Sequence, residues 1–377
     1  MQTGSKELIR DINKTLVLTT IIEKGPISRA DIAKELGLTK ATVSAIVQTL
    51  LDAFLVNEGT ADPPAAAKGR RPIPLSFNTA CGYIVSVNLD AAVIQILVSD
   101  AYGGHCTVHE YHNVYSEEEI LPFLTETIRS FMDHQPPSPH GLLGIALAIH
   151  GVVFEDRIVF TPYTPYDEID FKTALEAAFC VPCLLENEAN LAAIGEHTFC
   201  YPDEDLINLS IHSGIGIGLF LRGGLYVGHS GHGGEFGHTI IVPGGRPCPC
   251  GNCGCIEQYA SERAIFREVA RKKGLESLSA DDFARLYSRG DPDAAAGMED
   301  FLTYITAGVN NLIQTLDPTI IVINSSFTMN YPGLADEIRS RLRGRMSGSC
   351  RIVASSLQDM AILLGGAIVV RNRFLGI

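Results

Sequence analysis

The chain has 377 residues, 46% hydrophobic and 19% charged, enough apolar sequence for two or three domains with their own cores. A formal net charge of −14 argues against nucleic-acid binding over the whole surface. The charge is uneven, however: residues 1–75 hold ten Lys and Arg against eight Asp and Glu, and the rest hold nineteen against thirty-five. A mildly basic head on an acidic body is compatible with a DNA-binding module on a larger sensor.

The apolar segments are too short for a membrane protein. No apolar signal core opens the sequence, and the longest apolar run, residues 142–153, cannot cross a bilayer. We therefore expect a cytoplasmic protein with no membrane partner. In that compartment the ten cysteines are expected to be metal ligands or buried thiols rather than a disulfide framework.

Three helices with apolar residues at helical spacing are predicted at the start of the chain, over residues 5–24, 29–36 and 40–54. Ser28 followed by Asp31 forms an acidic capping box before the second helix, Gly37 supplies a tight turn, and Thr39 caps the third helix. This arrangement is typical of a helix-turn-helix, in which the start of the last helix enters the DNA major groove. A helical hairpin that only contacts protein is the alternative.

Small polar side chains on these helices suit DNA, because hydroxyls can meet base edges or phosphates. The predicted DNA contacts there are Ser28, Arg29, Thr39, Lys40, Ala41, Thr42 and Ser44. Strands over 55–58 and 74–77 are expected to form a wing around a Pro/Ala/Gly-rich tip. The tip ends in Lys68, Arg70 and Arg71, a basic arm suited to the narrow minor groove. A flexible solvated linker is the alternative interpretation of this arm.

From residue 82 onward strands alternate with helices, which predicts α/β layers. The predicted strands cover residues 83–89, 93–98, 143–149, 184–185, 206–211, 215–221 and 320–323. The predicted helices cover residues 117–132, 171–179, the segment after 186–190 up to 198, 261–274, 280–288, 295–315 and 365–373.

A histidine and four cysteines are concentrated between His238 and Glu257, in the run HTIIVPGGRPCPCGNCGCIE. Zinc prefers four nitrogen or sulfur ligands in a tetrahedron, and closely spaced thiolates on a glycine-rich chain can supply three of them, with His238 as the fourth. Such a closed set leaves no position for water, which disfavours a zinc hydrolase. Glu235 lies three residues before His238 in a glycine-rich loop, which connects the metal with a ligand site.

Several segments together resemble the ROK family (repressors, open reading frames, kinases), specifically its xylose-repressor-like transcription factors. They are the helix-turn-helix, 69–72 (GRRP), 186–190 (ENEAN), 234–238 (GEFGH) and 248–257 (CPCGNCGCIE). The resemblance implies a winged helix-turn-helix on a two-lobed, actin/hexokinase-like body with a sugar cleft, usually as a homodimer or homotetramer. It implies a head over 1–76 and a body over 77–377. The first lobe would take about 77–185 plus helix 365–377, and the second about 186–364.

The resemblance also implies the site residues. The ligands of a structural zinc ion would be His238, Cys248, Cys250 and Cys255, and Cys253 falls outside this set. The sugar contacts would be Asn187, Glu188, Glu235, His238 and Glu257. Carboxylates and an amide suit a ring of hydroxyls, and an imidazole held by a metal keeps its second nitrogen fixed. A metal that only pins a loop is the alternative.

Kinases of this family carry phosphate loops and a carboxylate base, and all of these parts are altered here. At the position where these kinases have the pattern Asp-x-Gly-Gly-Thr, this chain has Asn88-Leu89-Asp90-Ala91-Ala92. His212-Ser213-Gly214 replaces a Gly-Thr-Gly pattern, Asn324-Ser325 a glycine pair, and Glu188 the aspartate base, one methylene longer.

We therefore expect no catalytic residues and no enzyme. The sequence favours a sugar-responsive repressor of carbohydrate metabolism genes, such as those for xylose. Its inducer would be a monosaccharide in the cleft, and its operator an A·T-rich palindrome in double-stranded DNA. An ATP-dependent sugar kinase that retains a DNA-binding head is the alternative. The identity of the sugar, and activation as opposed to repression, are left open.

Overall fold

The computed structural model describes residues 6–59, 72–91, 93–161, 164–345 and 347–377, without the side chains of Lys6 and Glu7. The predicted basic arm, Lys68, Arg70 and Arg71, lies outside the described residues. Among the described helices, none is both long enough and apolar enough to cross a lipid bilayer.

The head is a group of three helices closed by a small sheet. Its elements are α1 (Lys6–Lys24), β1 (Ile27–Ser28), α2 (Arg29–Leu36), α3 (Lys40–Asp52), β2 (Val56–Glu58) and β3 (Pro74–Phe77). The strands pair antiparallel in the order β1-β3-β2. Ser28 accepts a hydrogen bond from the backbone N–H of Asp31 at 3.2 Å, and Thr39 accepts one from Thr42 at 3.1 Å. The predicted winged helix-turn-helix is confirmed.

The first part of the body is built on a five-stranded sheet. Its elements are β4 (Tyr83–Leu89), β5 (Ile94–Asp100), β6 (Thr107–Tyr111), α4 (Glu117–Asp133), β7 (Leu142–Ile149), β8 (Val152–Phe154), β9 (Arg157–Phe160), α5 (Phe171–Phe179), β10 (Cys183–Asn187) and α6 (Glu188–Phe199). The sheet has the order β10-β7-β4-β5-β6, parallel from β10 to β4 and antiparallel from β4 to β6. Helices α4 and α5 bury one face of it. Strands β8 and β9 form a separate hairpin.

The second part of the body carries another five-stranded sheet. Its elements are β11 (Leu206–Ile211), β12 (Ile215–Leu221), β13 (Gly224–Leu225), α7 (Glu257–Ala260), α8 (Glu262–Lys273), α9 (Ala280–Ser288), α10 (Pro292–Leu316), β14 (Ile320–Ser325), α11 (Ser326–Asn330), α12 (Leu334–Arg341), β15 (Arg351–Ala354) and α13 (Met360–Leu375). The strand order is β13-β12-β11-β14-β15. Helices α8, α9 and α10 bury one face of the sheet, and Ala193 of α6 packs on the other. The expected two-lobed α/β body is confirmed.

Helices α6 and α13 cross at very short distance between the two parts of the body. A Cβ atom at Gly195 would lie 2.2 Å from the carbonyl oxygen of Ala361, and one at Gly365 would lie 1.8 Å from that of Leu191. Only glycine fits at such contacts. The backbones of the two helices therefore touch, and neither helix can shift along the other without losing this contact.

The head shares one hydrophobic core with the first sheet of the body and with α13, which packs on that sheet. Val17 and Leu18 of α1 belong to the same buried cluster as Leu363 and Ala367 of α13. Polar contacts reinforce this packing, because His140 Nε2 donates a hydrogen bond of 2.8 Å to the carbonyl of Ala53 just after α3. The head is therefore packed on the body and not merely tethered to it.

Several boundaries differ from the predicted ones. Helix α3 ends at Asp52 rather than 54, and Phe54 takes a left-handed φ of 56°. Helix α13 begins at Met360, five residues before the predicted start, because its apolar first turns are buried between other elements. Strand β10 is longer than the predicted 184–185. Strand β6 is largely exposed, and so it carries no alternating apolar pattern by which to predict it.

Replacing Gly365 with alanine tests the helix crossing. The new methyl group would overlap the Leu191 carbonyl, so we expect Gly365→Ala to lower the free energy of unfolding by about 3 kcal/mol. Gly224→Ala is the matched control, since a Cβ there meets no described atom within 4 Å. Urea unfolding of both variants measures the difference, and equal stabilities would contradict the close crossing.

Candidate metal centre and ligand cavity

The four predicted metal ligands form one cluster. His238, Cys248, Cys250 and Cys255 each offer a donor atom, and these atoms all lie within 4.8 Å of one another. Cys248 Sγ is 3.5 Å from His238 Nδ1, and Cys250 Sγ is 3.6 Å from Cys255 Sγ. Metal bonds of about 2.0–2.3 Å in a tetrahedron put neighbouring donors roughly 3.5–3.8 Å apart. The four residues therefore fit a tetrahedral metal ion.

The backbone around the cluster explains why it closes. Gly254 has a φ of 92°, and a Cβ there would lie 1.8 Å from the carbonyl oxygen of Val242. Its N–H donates to the carbonyl of Arg246 at 2.7 Å, which folds the cysteine segment back on itself. Cys253 is exposed and is not part of the cluster.

The cluster forms one wall of a cavity of about 130 Å³. The cavity is lined by all five predicted sugar contacts, Asn187, Glu188, Glu235, His238 and Glu257. His238 Nε2, the nitrogen turned away from the sulfurs, lies 3.7 Å from Glu235 Oε2. No lysine or arginine is among the described residues that line the cavity. The arrangement offers oxygen acceptors and amide donors to a polar molecule without a negative charge.

Asn187 and Glu188 stand where β10 passes into α6. Asn187 caps the helix by accepting hydrogen bonds from the N–H groups of Ala189 and Asn190, at 2.9 and 3.2 Å. Its own amide group donates to Glu188 Oε2 at 2.7 Å and to the carbonyl of Gly151 at 2.9 Å. The capping bonds fix both side chains at the cavity floor.

Burial raises the pKa of Glu188 to about 8, and the nearby carboxylates of Glu235 and Asp90 act in the same direction. At neutral pH this carboxyl group is therefore mostly protonated, and it can donate a hydrogen bond as well as accept one.

The resemblance did not supply every residue of the cavity. His150, His212, Ser210 and Phe160 also line it. His150 interrupts the longest apolar run of the sequence, which is a signal that could have placed it at the end of a buried strand. The others sit on strand ends or hairpins whose position in space no local pattern reveals.

The predicted DNA contacts divide into two groups. Thr39, Lys40, Ala41 and Ser44 are exposed at the start of α3, with Thr42 partly exposed. Ser28 is buried and its hydroxyl donates to Asp31 Oδ2 at 2.7 Å, so the structure favours a capping role over the predicted DNA contact. Arg29 donates to Glu58 Oε1 on β2 at 2.6 Å.

Asn88 and Ser325, from two of the altered kinase segments, have internal partners, whereas the buried amide of Asn324 has none among the described residues. Asn88 donates to Gln95 Oε1 at 3.2 Å and accepts from His150. Glu262 Oε1 accepts hydrogen bonds from Ser325 Oγ at 2.8 Å and from the Ser326 N–H at 2.6 Å. These groups are engaged with the protein rather than turned toward a nucleotide.

Residues 84–373 match the model of the ROK family. The chain belongs to the ROK family. Residues 10–53 also match a model described as winged helix-turn-helix DNA-binding, as the fold of the head indicates.

Proteins named as transcriptional repressors or regulators match this chain over nearly its whole length. The xylose repressor of Bacillus subtilis (strain 168) is 33% identical and covers 100% of this chain and 99% of its own. The DNA-binding transcriptional dual regulator NagC of Escherichia coli (strain K12) is 27% identical and covers 100% and 96%. A crystal structure of a ROK family transcriptional regulator, a homolog of the E. coli MLC protein, superposes with a TM-score of 0.82, at 26% identity over 98% of this chain and 97% of its own.

A kinase of the ROK family superposes on about three quarters of the chain. A glucokinase from Streptomyces griseus, solved with glucose and AMPPNP, superposes with a TM-score of 0.68 over 77% of this chain and 100% of its own, at 23% identity. This likeness shows the fold of the body. The predicted membership of the ROK family is confirmed, and the full-length relatives are transcriptional regulators.

Single cysteine variants test the ligand set. We expect the purified protein to hold about one metal ion per chain, and Cys250→Ser to retain it at least about tenfold less well, because one corner of the tetrahedron is lost. Cys253→Ser is the matched control and should keep the ion. Metal analysis after gel filtration measures both variants, and a Cys250→Ser variant that kept its metal and fold would refute the ligand set.

The raised pKa of Glu188 predicts a pH dependence of stability. Between pH 4.5, the ordinary value, and about pH 8 the folded chain keeps a proton that the unfolded chain loses, so unfolding free energy falls as pH rises through this window. Glu188→Gln is neutral at every pH, so its free energy of unfolding should rise relative to that of the wild type by an amount on the order of 1 kcal/mol when the pH is raised from roughly 6 to 8. Urea unfolding at both pH values measures this gain. Glu126→Gln, at an exposed position, is the control and should show no such gain. If the difference in unfolding free energy between Glu188→Gln and the wild type were the same at both pH values, the raised pKa would be disproved.

Proposed function

We propose that the protein is a transcriptional repressor of carbohydrate metabolism genes, whose DNA binding is released by a monosaccharide in the cavity. One observation carries this proposal. One chain carries an exposed recognition helix and a cavity whose described lining has carboxyl and amide groups but no lysine or arginine, and one hydrophobic core connects the head with the body. The protein would act in the cytoplasm, where operator DNA and free sugar are both present.

The lining of the cavity supports an uncharged, unphosphorylated sugar as the effector. Glu188, Glu235 and Glu257 can each hold sugar hydroxyls, while the described lining offers a phosphate no cationic partner. Two relatives that match over the full chain are named xylose repressors, at 33% identity, so D-xylose is the first candidate and xylose metabolism the first candidate pathway.

We infer that the metal is zinc and that its role is structural. Three thiolates and one imidazole are a donor set that zinc favours, and they leave no open position for catalysis. The ion would hold His238 and the segment leading into Glu257, and so would keep the cavity wall in shape.

The DNA contacts we propose are Thr39, Lys40, Ala41, Thr42, Ser44, Arg29 and the arm residues Lys68, Arg70 and Arg71. A homodimer or homotetramer would place two heads on an A·T-rich palindrome. We also propose that the head spans residues 1–76 and the body residues 77–377. The strands of the head form a sheet of their own, separate from the sheets of the body, although one hydrophobic core extends across the boundary.

Sugar binding can reach the head through two touching helices. The cavity residue Glu188 begins α6, α6 meets α13 at the glycine contacts, and α13 is packed against α1. A sugar that favours one arrangement of the lobes would therefore shift the position of the heads in an oligomer.

A kinase is the weaker proposal. Transfer of a phosphoryl group needs cationic groups or metal-bound loops around the phosphates, and Asn88, Asp90 and the Glu262 contacts occupy the corresponding positions. The described lining of the cavity provides no lysine or arginine in their place.

Operator binding with and without sugar tests this function. An operator selected from A·T-rich DNA should bind the wild type, and D-xylose at fixed salt should weaken that binding at least about tenfold. Glucose 6-phosphate should have no effect, and Lys40→Ala should weaken binding while the exposed control Lys34→Ala on α2 should not. If no aldopentose or aldohexose changed the affinity, sugar sensing would be wrong. If the protein released ADP above background in the presence of sugar and ATP, the kinase proposal would be favoured instead.

A further inference from the structure

His150 lines the cavity beside two of the predicted sugar contacts, Asn187 and Glu188. It directly follows β7, and Asn187 ends the paired strand β10 at the level of Ile149. Its side chain is 20% exposed and lines the cavity. A molecule in the cavity therefore meets this imidazole together with the neighbouring carboxyl group of Glu188.

A chain of hydrogen bonds fixes which nitrogen of His150 carries its proton. Glu110 Oε1 accepts from Gln95 Nε2 at 2.8 Å, and Gln95 Oε1 accepts from Asn88 Nδ2 at 3.2 Å. A carboxylate only accepts, so both amides are oriented with their nitrogens toward Glu110 and their oxygens toward His150. Asn88 Oδ1 then faces His150 Nε2 at 2.8 Å as an acceptor, and Nε2 must be the donor.

The other nitrogen of the ring is left as an acceptor. Burial lowers the pKa of His150 and the nearby His212 acts in the same direction, against the opposite effects of Asp90 and Asp359. In the neutral ring, with its proton on Nε2, Nδ1 carries a lone pair. Nδ1 lies 3.7 Å from Asp90 Oδ2, a separation longer than a hydrogen bond.

We propose that His150 Nδ1 accepts a hydrogen bond from a sugar hydroxyl, and that His150 thereby selects which hydroxyl pattern the cavity binds. This inference rests on the proposed sugar-binding function. A ring nitrogen that only accepts requires a proton from the ligand, which a hydroxyl supplies and an anionic oxygen does not. A pocket built to hydrogen-bond a hydroxyl discriminates strongly against the analogue that lacks it, because the buried acceptor is then left unpaired.

The same residues explain the departure from the kinase pattern at 88–90. Asn88 both donates to Gln95 and accepts from His150, a pair of roles that an ionised aspartate cannot fill because it has no proton to donate. Asn88 is therefore a positioning residue for the ring of His150, and the altered loop becomes part of the selective wall of the cavity.

Deoxy sugars combined with two isosteric variants test this role. Binding of D-xylose and its 2-, 3- and 4-deoxy analogues is measured by calorimetry, with L-arabinose, D-ribose and D-glucose and their deoxy analogues as substitutes if D-xylose does not bind. For the wild type we expect one deoxy analogue to bind roughly tenfold or more weakly than its parent sugar.

Two variants of His150 separate the hydrogen bond at its Nε2 position from the acceptor role of Nδ1. His150→Gln places an amide at the Nε2 position and removes the acceptor at Nδ1, so it should bind the parent sugar about tenfold more weakly and lose the penalty for that one deoxy analogue. His150→Asn places its oxygen near the Nδ1 position and should keep part of the penalty. His134→Gln, an exposed histidine of the loop after α4, is the control and should bind like the wild type.

The outcomes distinguish this inference from the proposed function. If the wild type bound no sugar, the proposed function would fail and this inference with it. If sugar bound but His150→Gln weakened every analogue by the same factor, His150 would be only structural and the inference would be overturned. A penalty that disappears for one hydroxyl alone supports it, because a general loss of structure would not single out one position.

Discussion

The contact between the backbones of α6 and α13 is the constraint on which the rest of the structure depends. Glycines at 195 and 365 let the two helices approach until carbonyl oxygens occupy the space of side chains. At one end of the pair, α6 begins with the capping residue of the cavity floor. At the other end, α13 is packed against the head. Dispersion contacts at this crossing leave no void into which either helix could move independently.

The electrostatics of the cavity follow from burying one carboxyl group near others, with no lysine or arginine in the part of the lining that the structure describes. Burial is the main reason that Glu188 retains its proton, and the nearby carboxylate of Glu235 acts in the same direction. This proton also widens the chemistry of the site, because one carboxyl donates while its neighbour accepts. In the proposed function, the preference for a polyol over an anion would depend on the whole cavity wall and not on one residue.

Local chemistry accounts for what could be predicted from the sequence. Ser28 and Thr39 were identified as caps because their hydroxyls bond to N–H groups only three residues away, and the cysteine spacing identified a metal cluster for a similar reason. The start of α13 could not be found in this way. Its Gly365-Gly366 pair is typical of a break, yet distant elements pack around it and keep it helical. The partners of His150, at positions 88 and 90, are about 60 residues away in the chain, and only the pairing of β4 with β7 brings them together.

The core shared between head and body has a consequence for how such proteins can be recombined. A head cut out at residue 76 would leave Val17, Leu18 and Ile21 without the body residues that cover them, and Leu363 and Ala367 would be uncovered on the other fragment. Both fragments would then expose an apolar surface that favours aggregation. Fusing this head to a different body therefore requires that the matching face of the C-terminal helix be transferred with it. The head and this helix face can be exchanged only together.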